Sequence, residues 1–110
     1  MKLPNGVCAV LGTKLEDYSL NPFHREGRHK ARVFASVLGI GLSNVAVLRE
    51  AILNAAADSD KAEARGDNGF GEVFRLRFEM KTERASATVL TSWVVRRGED
   101  FPRLTTCYIV

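Results

Sequence analysis

The feature that most constrains this chain is a change of hydrophobic period partway along it. Across residues 72–80, Phe74, Leu76, Phe78 and Met80 alternate with Val73, Arg75, Arg77 and Glu79. Successive side chains of a strand point to opposite faces, so this pattern predicts a strand with one face in a core and the other in water. Upstream the period is helical instead. Across residues 28–38 the apolar positions Ala31, Phe34, Ala35 and Leu38 form one stripe, with Arg28, Lys30 and Arg32 mostly off it, and Val45, Leu48, Ile52 and Ala55 or Ala56 form a second. Helices followed by a strand-rich half predict an α+β fold, with N-terminal helices packed on one face of a small C-terminal antiparallel sheet of three or four strands.

Local signals set the expected boundaries. Thr13 and Glu16 have the spacing of a capping box, which predicts a short helix to about Leu20 that buries Leu15 and Tyr18 and stops at Asn21-Pro22. Gly39 followed by Ile40 suits a left-handed C-cap, and Ser43 suits the N-cap of a helix ending near Asp58. Residues 59–71 are polar and glycine-rich, which predicts one long mobile loop. Beyond the strand at 72–80, a turn at 81–84 leads to a second strand at 85–96. Ala87, Val89, Thr91, Trp93 and Val95 share one of its faces; Thr88, Leu90, Ser92, Val94 and Arg96 share the other. A hairpin at 97–101 and Pro102 open a last strand at 103–110. The apolar run at 7–11 suits either an edge strand or a buried extended segment. Phe74, Leu76 and Phe78 are expected to pack against Phe34, Leu38, Leu48 and Ile52.

A chain of 110 residues has room for one core, so residues 1–110 are expected to form a single domain. An apolar fraction of 45% and a charged fraction of 26% are those of ordinary globular proteins. No stretch approaches the roughly 18 apolar residues that span a bilayer, and the first residues lack the apolar centre of a signal peptide. No membrane association is expected, and the cytoplasm is the default location. Cys8 and Cys107 each have apolar neighbours, which suits buried thiols better than a disulfide framework.

The net charge of +3 is mild, but it is unevenly spread. Lys14, His24, Arg25, Arg28, His29, Lys30 and Arg32 crowd the first third. Within residues 21–32 a turn leads into a helix carrying two imidazoles and four cations. Such a cluster suits phosphate: guanidinium groups offer forked donors, as Arg25 and Arg28 would, and histidine exchanges protons near neutral pH. The plain alternative is a solvated basic helix start. His24 and His29 are five residues apart, which does not put both on one helical face, and no Cys or carboxylate pair completes a metal set. No metal or cofactor is therefore expected. On the sheet, Thr91, Ser92, Arg96, Thr105, Thr106 and Tyr108 supply hydroxyls and a cation, although threonine and tyrosine are also ordinary strand residues. Glu99 and Asp100 suit turn positions, and Trp93 a core anchor.

Leu3-Pro4-Asn5, the stretch running through Lys14-Leu15, Tyr18, Leu20-Asn21-Pro22, His24, Gly27-Arg28, Lys30-Ala31 and Phe34, and the closing Trp93, Pro102-Arg103-Leu104, Thr106 and Tyr108 together resemble an uncharacterised bacterial family of domains of unknown function. The likeness spans nearly the whole chain. More distantly, the arrangement is similar to the barnase, EndoU, colicin and RelE-like nuclease fold of bacterial toxins. That resemblance implies cleavage of RNA by its own 2′-hydroxyl without a metal. It would make His24 the general acid or base, with Lys30 and Arg96 stabilising the pentacoordinate phosphate and Thr91, Thr106 or Tyr108 orienting it.

Two functions are therefore expected as alternatives. One is a ribonuclease toxin with an RNA substrate, held by a small antitoxin or immunity protein. The other is a non-catalytic binding or accessory domain whose basic segment docks an acidic partner. They differ on whether His24 lies beside Lys30 and the sheet hydroxyls.

Overall fold

The structure, a computed structural model, describes residues 1–110. A 3-10 turn at Gly6–Cys8 and a π-helical turn at Leu15–Ser19 precede helix α1 (Arg28–Val33), which passes directly into a further π-helical turn at Phe34–Leu38. Gly39 ends this segment in the left-handed region at φ 68°. Its amide donates to Ala35 O and that of Ile40 to Phe34 O, closing the helix end where a side chain at Gly39 would be strained. Helix α2 (Val45–Asp58) follows a 3-10 turn at Leu42–Asn44 and buries Leu48, Ile52 and Ala56, one residue per turn along a single face.

Two expected caps are replaced by other contacts. Thr13 makes no capping hydrogen bond, and Glu16 instead takes both ends of the Arg49 guanidinium, at 2.6 and 2.8 Å, which ties the Leu15–Ser19 turn to α2. Ser43 lies within the Leu42–Asn44 turn, and the cap there is Asn44, whose side chain accepts from Gly41 N and donates to Gly39 O. A bidentate partner and a two-way amide satisfy more groups than a lone hydroxyl does.

The sheet has four antiparallel strands in sequence order, β1 (Glu63–Asp67), β2 (Gly71–Lys81), β3 (Ser86–Arg96) and β4 (Arg103–Ile109). β1 occupies part of the segment expected to be one long loop. Every residue in it is exposed and none is a strong strand former, so its pairing with β2 and the turn that follows, rather than its own composition, make it a strand. Asp67 and Asn68 fold that turn by accepting amides from Gly69, Phe70 and Gly71. The N-terminal run at 7–11, by contrast, is not a strand. After the Gly6–Cys8 turn, Val10 alone bridges Arg103, in parallel, alongside β4.

The core face of the sheet is the alternating face read from β2 and β3. Phe74 lies opposite Trp93, Leu76 opposite Thr91 and Phe78 opposite Val89. Against β4 the register shifts between Ser92 and Trp93, so that Trp93 meets Leu104 while Thr91 meets Cys107. This irregularity lets Leu104 and Cys107, three residues apart, both enter the core. Phe34, Leu38, Leu48 and Ile52 cover that face from the helical side. Phe78 is only half-buried, nearer the margin of the core than expected, while Phe74 is 2% exposed. Of the two thiols, Cys107 is buried as expected but Cys8 is exposed, because its turn lies on the surface.

Three outcomes follow from this packing. Phe74→Ala should cost about 3–5 kcal/mol in urea unfolding, and Phe78→Ala clearly less; equal losses would contradict the placement of Phe78 at the margin. Gly27 is buried, and a Cβ there would stand 2.1 Å from Tyr18 O. Gly27→Ala should therefore lower stability by about 1–3 kcal/mol by pushing α1 off the Leu15–Ser19 turn. Burial pushes the Cys107 thiol up to about 12, with nearby Lys30 opposing. Since an unfolded thiol ionises near ~8.5, this group's contribution to stability is intact below that pH and declines as pH rises towards 12. Iodoacetamide at pH 8 should label one thiol of the native protein, Cys8, and a second only in denaturant. Rapid labelling of both would refute the burial of Cys107.

Candidate functional site

Lys30, the third residue of α1, extends to the β4 edge of the sheet. Its Nζ donates to Tyr18 Oη at 3.0 Å and to Thr106 Oγ1 at 3.2 Å. It also lies 4.6 Å from the centroid of the Tyr18 ring and 5.3 Å from that of Tyr108. Thr106 and Tyr108 share a face of β4, opposite Ser92 and Leu90 of β3, as alternation requires. The ammonium is half-buried and has three N–H donors, of which two are committed to hydroxyls.

No carboxylate balances this charge. The ion pairs of the chain are Arg49 with Glu16, Arg77 with Glu63, Arg97 with Asp67, and Arg103 with Glu99, and Lys30 is in none of them. Cation–π contact and neutral hydrogen bonds offset part of the cost of removing an ammonium from water, each by about 1 kcal/mol. An anion bound at the third N–H would supply the missing charge.

His24 stands beside this cluster, its ring meeting Tyr18 edge to face at a centroid separation of 4.7 Å. Its Nδ1 accepts the amides of Glu26 at 3.1 Å and Gly27 at 2.9 Å. The neutral ring therefore carries its proton on Nε2 and offers a donor there, while the Nδ1 lone pair is occupied in holding the turn. The basic turn is thus built by its histidine, and the close approach of Gly27 to the Tyr18 backbone sets the distance between the turn at 15–19 and α1.

Four of the expected site residues come together in this way: His24, Lys30, Thr106 and Tyr108. Thr91 does not join them. It is 0% exposed on the core face, where its hydroxyl donates to Leu76 O at 2.9 Å and accepts from Trp93 Nε1 at 2.8 Å. Arg96 is also apart. It ends β3 four residues beyond Ser92, the partner of Thr106, which is roughly 13 Å along the strand. There it faces Glu99, whose carboxyl the hydrogen bonds of Arg103 hold below the usual carboxylate range. Arg25 and Arg28 are exposed and unpaired, and Arg28 lies roughly 200° around the helix from Lys30, so it points away from the cluster. Tyr18 is the member that sequence reading assigned to the core alone. Its signals in the sequence are a hydroxyl on the apolar side of a short helix and a place in the family pattern.

No single helix is long and apolar enough to cross a membrane, and no group of three or more His, Cys, Asp or Glu side chains is placed to hold a metal ion. A search among curated proteins finds no match. Among solved structures, a chain of a contact-dependent growth inhibition toxin–immunity protein complex from Klebsiella pneumoniae 342 is similar with a TM-score of 0.70, over 92% of this chain and 98% of that one. Their sequences are 15% identical, so the likeness is one of fold. The family model described as domain of unknown function (DUF6883) matches residues 2–110, and the chain belongs to that family.

Proposed function

We propose that this chain is a ribonuclease that cleaves RNA through the ribose 2′-hydroxyl, and that it acts as the toxin of a toxin–antitoxin or toxin–immunity pair. The observation that carries this reading is the uncompensated Lys30 ammonium, held between Tyr18 and Thr106 with one donor free. A phosphodiester is the anion that such a set of donors suits, because its charge grows in the pentacoordinate state and is then met by fixed donors. The fold it shares with a chain of a growth-inhibition toxin–immunity complex supports the pairing with a protein inhibitor.

In this reaction the 2′ oxygen attacks phosphorus and the bond from phosphorus to the 5′ oxygen breaks, leaving a 2′,3′-cyclic phosphate and a 5′-hydroxyl. Lys30 stabilises the charge on the non-bridging oxygens, and Thr106 and Tyr108 orient them. Tyr18 accepts from Lys30, so its own hydrogen is available to the departing 5′ oxygen. The proton from the 2′-hydroxyl passes to solvent, and solvent returns one to the Tyr18 phenolate, which restores the site. His24, with Nδ1 occupied, donates through Nε2 to the phosphate rather than serving as the base. The nucleophile belongs to the substrate, so this chemistry calls for no metal.

The exposed, unpaired Arg25, Arg28 and Arg32 favour a second reading, a binding domain that docks an acidic partner by charge alone. One experiment separates the two. Purified chain, shown by mass spectrometry to be free of bound protein, is incubated with total RNA in EDTA beside Lys30→Ala, Tyr18→Phe and His24→Asn. The nuclease should cut RNA, leave cyclic phosphate ends and spare DNA. Lys30→Ala should lower turnover by about a hundredfold or more. Tyr18→Phe and His24→Asn should also be slow yet fold normally, the latter because asparagine can still accept the turn amides. Intact RNA with the wild-type chain would sink the nuclease. Docking by charge predicts instead that Tyr18→Phe and His24→Asn are nearly silent, and that substitutions of Lys30, Arg25 and Arg28 each weaken association modestly, by an amount that shrinks as salt rises.

A further inference from the structure

We infer that Phe23 is a stacking surface for an unpaired base, so that the site takes single-stranded rather than duplex RNA; this rests on reading the Lys30 cluster as a phosphodiester site. Phe23 is 91% exposed, more than any other large apolar side chain in the protein. The backbone that carries it is held firmly. Its amide donates to Asn21 Oδ1 at 2.9 Å, that of His24 donates to Asn21 O at 3.3 Å, and Pro22 restricts the residue between. The ring is therefore displayed by a fixed turn, immediately before the histidine that stands against Tyr18.

Its chain neighbours specify the partner. Arg25 and Arg28 follow it closely in the chain, with Glu26 between them, and neither arginine forms an ion pair. An aromatic face followed in the chain by unpaired guanidinium groups matches a nucleic acid strand, in which each base offers a flat face and each phosphate a charge. A base inside a duplex already has both faces covered by its neighbours. Away from a duplex end, only an unpaired base can lie on Phe23, which is how aromatic side chains read single-stranded RNA. Phe70 is the natural control, since it is 73% exposed but sits in the turn between β1 and β2, beside Arg97 and away from Lys30.

The test measures binding separately from cleavage. A fluorescein-labelled single-stranded decamer with 2′-O-methyl riboses, which lacks the attacking hydroxyl, is titrated by fluorescence anisotropy with wild type, Phe23→Ala, Phe23→Trp and Phe70→Ala. Phe23→Ala should weaken binding by about tenfold, within the range that single aromatic–base stacks provide. This loss should be nearly independent of salt, unlike the loss from Arg25→Ala. Phe23→Trp should restore affinity, Phe70→Ala should leave it unchanged, and a long duplex, nearly all of whose bases are internal, should bind wild type and Phe23→Ala equally. Equal affinity of wild type and Phe23→Ala for the single strand overturns the inference, and so does a wild type that binds no strand at all. Cleavage of unmodified RNA answers the other question: a wild type that binds the decamer through Phe23 but leaves RNA intact upholds the stacking role and removes the nuclease. If Phe23→Ala loses only its hold on a purified inhibitor protein and keeps its RNA affinity, the ring is a protein contact and the inference fails.

Discussion

The rest of the molecule depends on the apolar face that β2 and β3 present together. Phe74 and Trp93 lie opposite one another at its centre, and Phe34, Leu48 and Ile52 close over it from the helices. Burying side chains of this size stabilises by roughly 1.5–3 kcal/mol each, which makes this contact the dominant favourable contribution for a chain with no disulfide. It also orients everything attached to it. Once the helical half is seated on this face, α1 is brought alongside β4, and a lysine whose ammonium lies against the rings of Tyr18 and Tyr108 can reach a threonine 76 residues away in sequence.

That reach has an energetic cost that a link between α1 and β4 does not require. A neutral hydroxyl pair would join α1 to β4 without removing a charge from water. Lys30 is instead half-buried without a carboxylate, in a protein whose ion pairs elsewhere use arginine with Glu or Asp. Groups kept in an environment that favours an absent partner are found more often where a ligand supplies that partner than where stability alone is at stake. The turn beside it has the same character. His24 spends one nitrogen on holding the backbone and leaves the other as a directed donor, while Gly27 allows an approach to Tyr18 that any side chain would prevent.

Several features were legible without coordinates, because each depends on neighbours close in sequence. The alternation at 72–80 identifies β2 and its core face, the stripes around Phe34 and Leu48 identify the helical layer, and Gly39-Ile40 marks a helix end. The basic turn was visible for the same reason. β1 was not, since Glu63–Asp67 owes its extended form to hydrogen bonds with β2 rather than to its own residues; the expected loop at 59–71 passes over Asn68-Gly69, a dipeptide that suits a hairpin turn. The capping role expected of Thr13 was also lost to a long-range partner, as Glu16 found Arg49 on another helix.

The candidate site divides along the same line. His24 and Lys30 could be singled out from sequence, because six residues of a turn and helix start keep them together whatever the rest of the chain does. Thr106, Tyr108, Thr91 and Arg96 could only be offered as strand residues of suitable chemistry. Tertiary structure separated them: strand register turned Thr91 into the core and left Arg96 at the hairpin, while Thr106 and Tyr108 met Lys30 at the β4 edge. It also added Tyr18, which reads as one more apolar contact until α1 is packed beside it. Sequence by itself determined the order of elements, the core-facing side of β2 and the identity of the cationic turn, since these follow from periodicity and local backbone preference. Which hydroxyls surround that cation was decided only by the packing of helix against sheet, because contacts across such distances in the chain carry no local pattern.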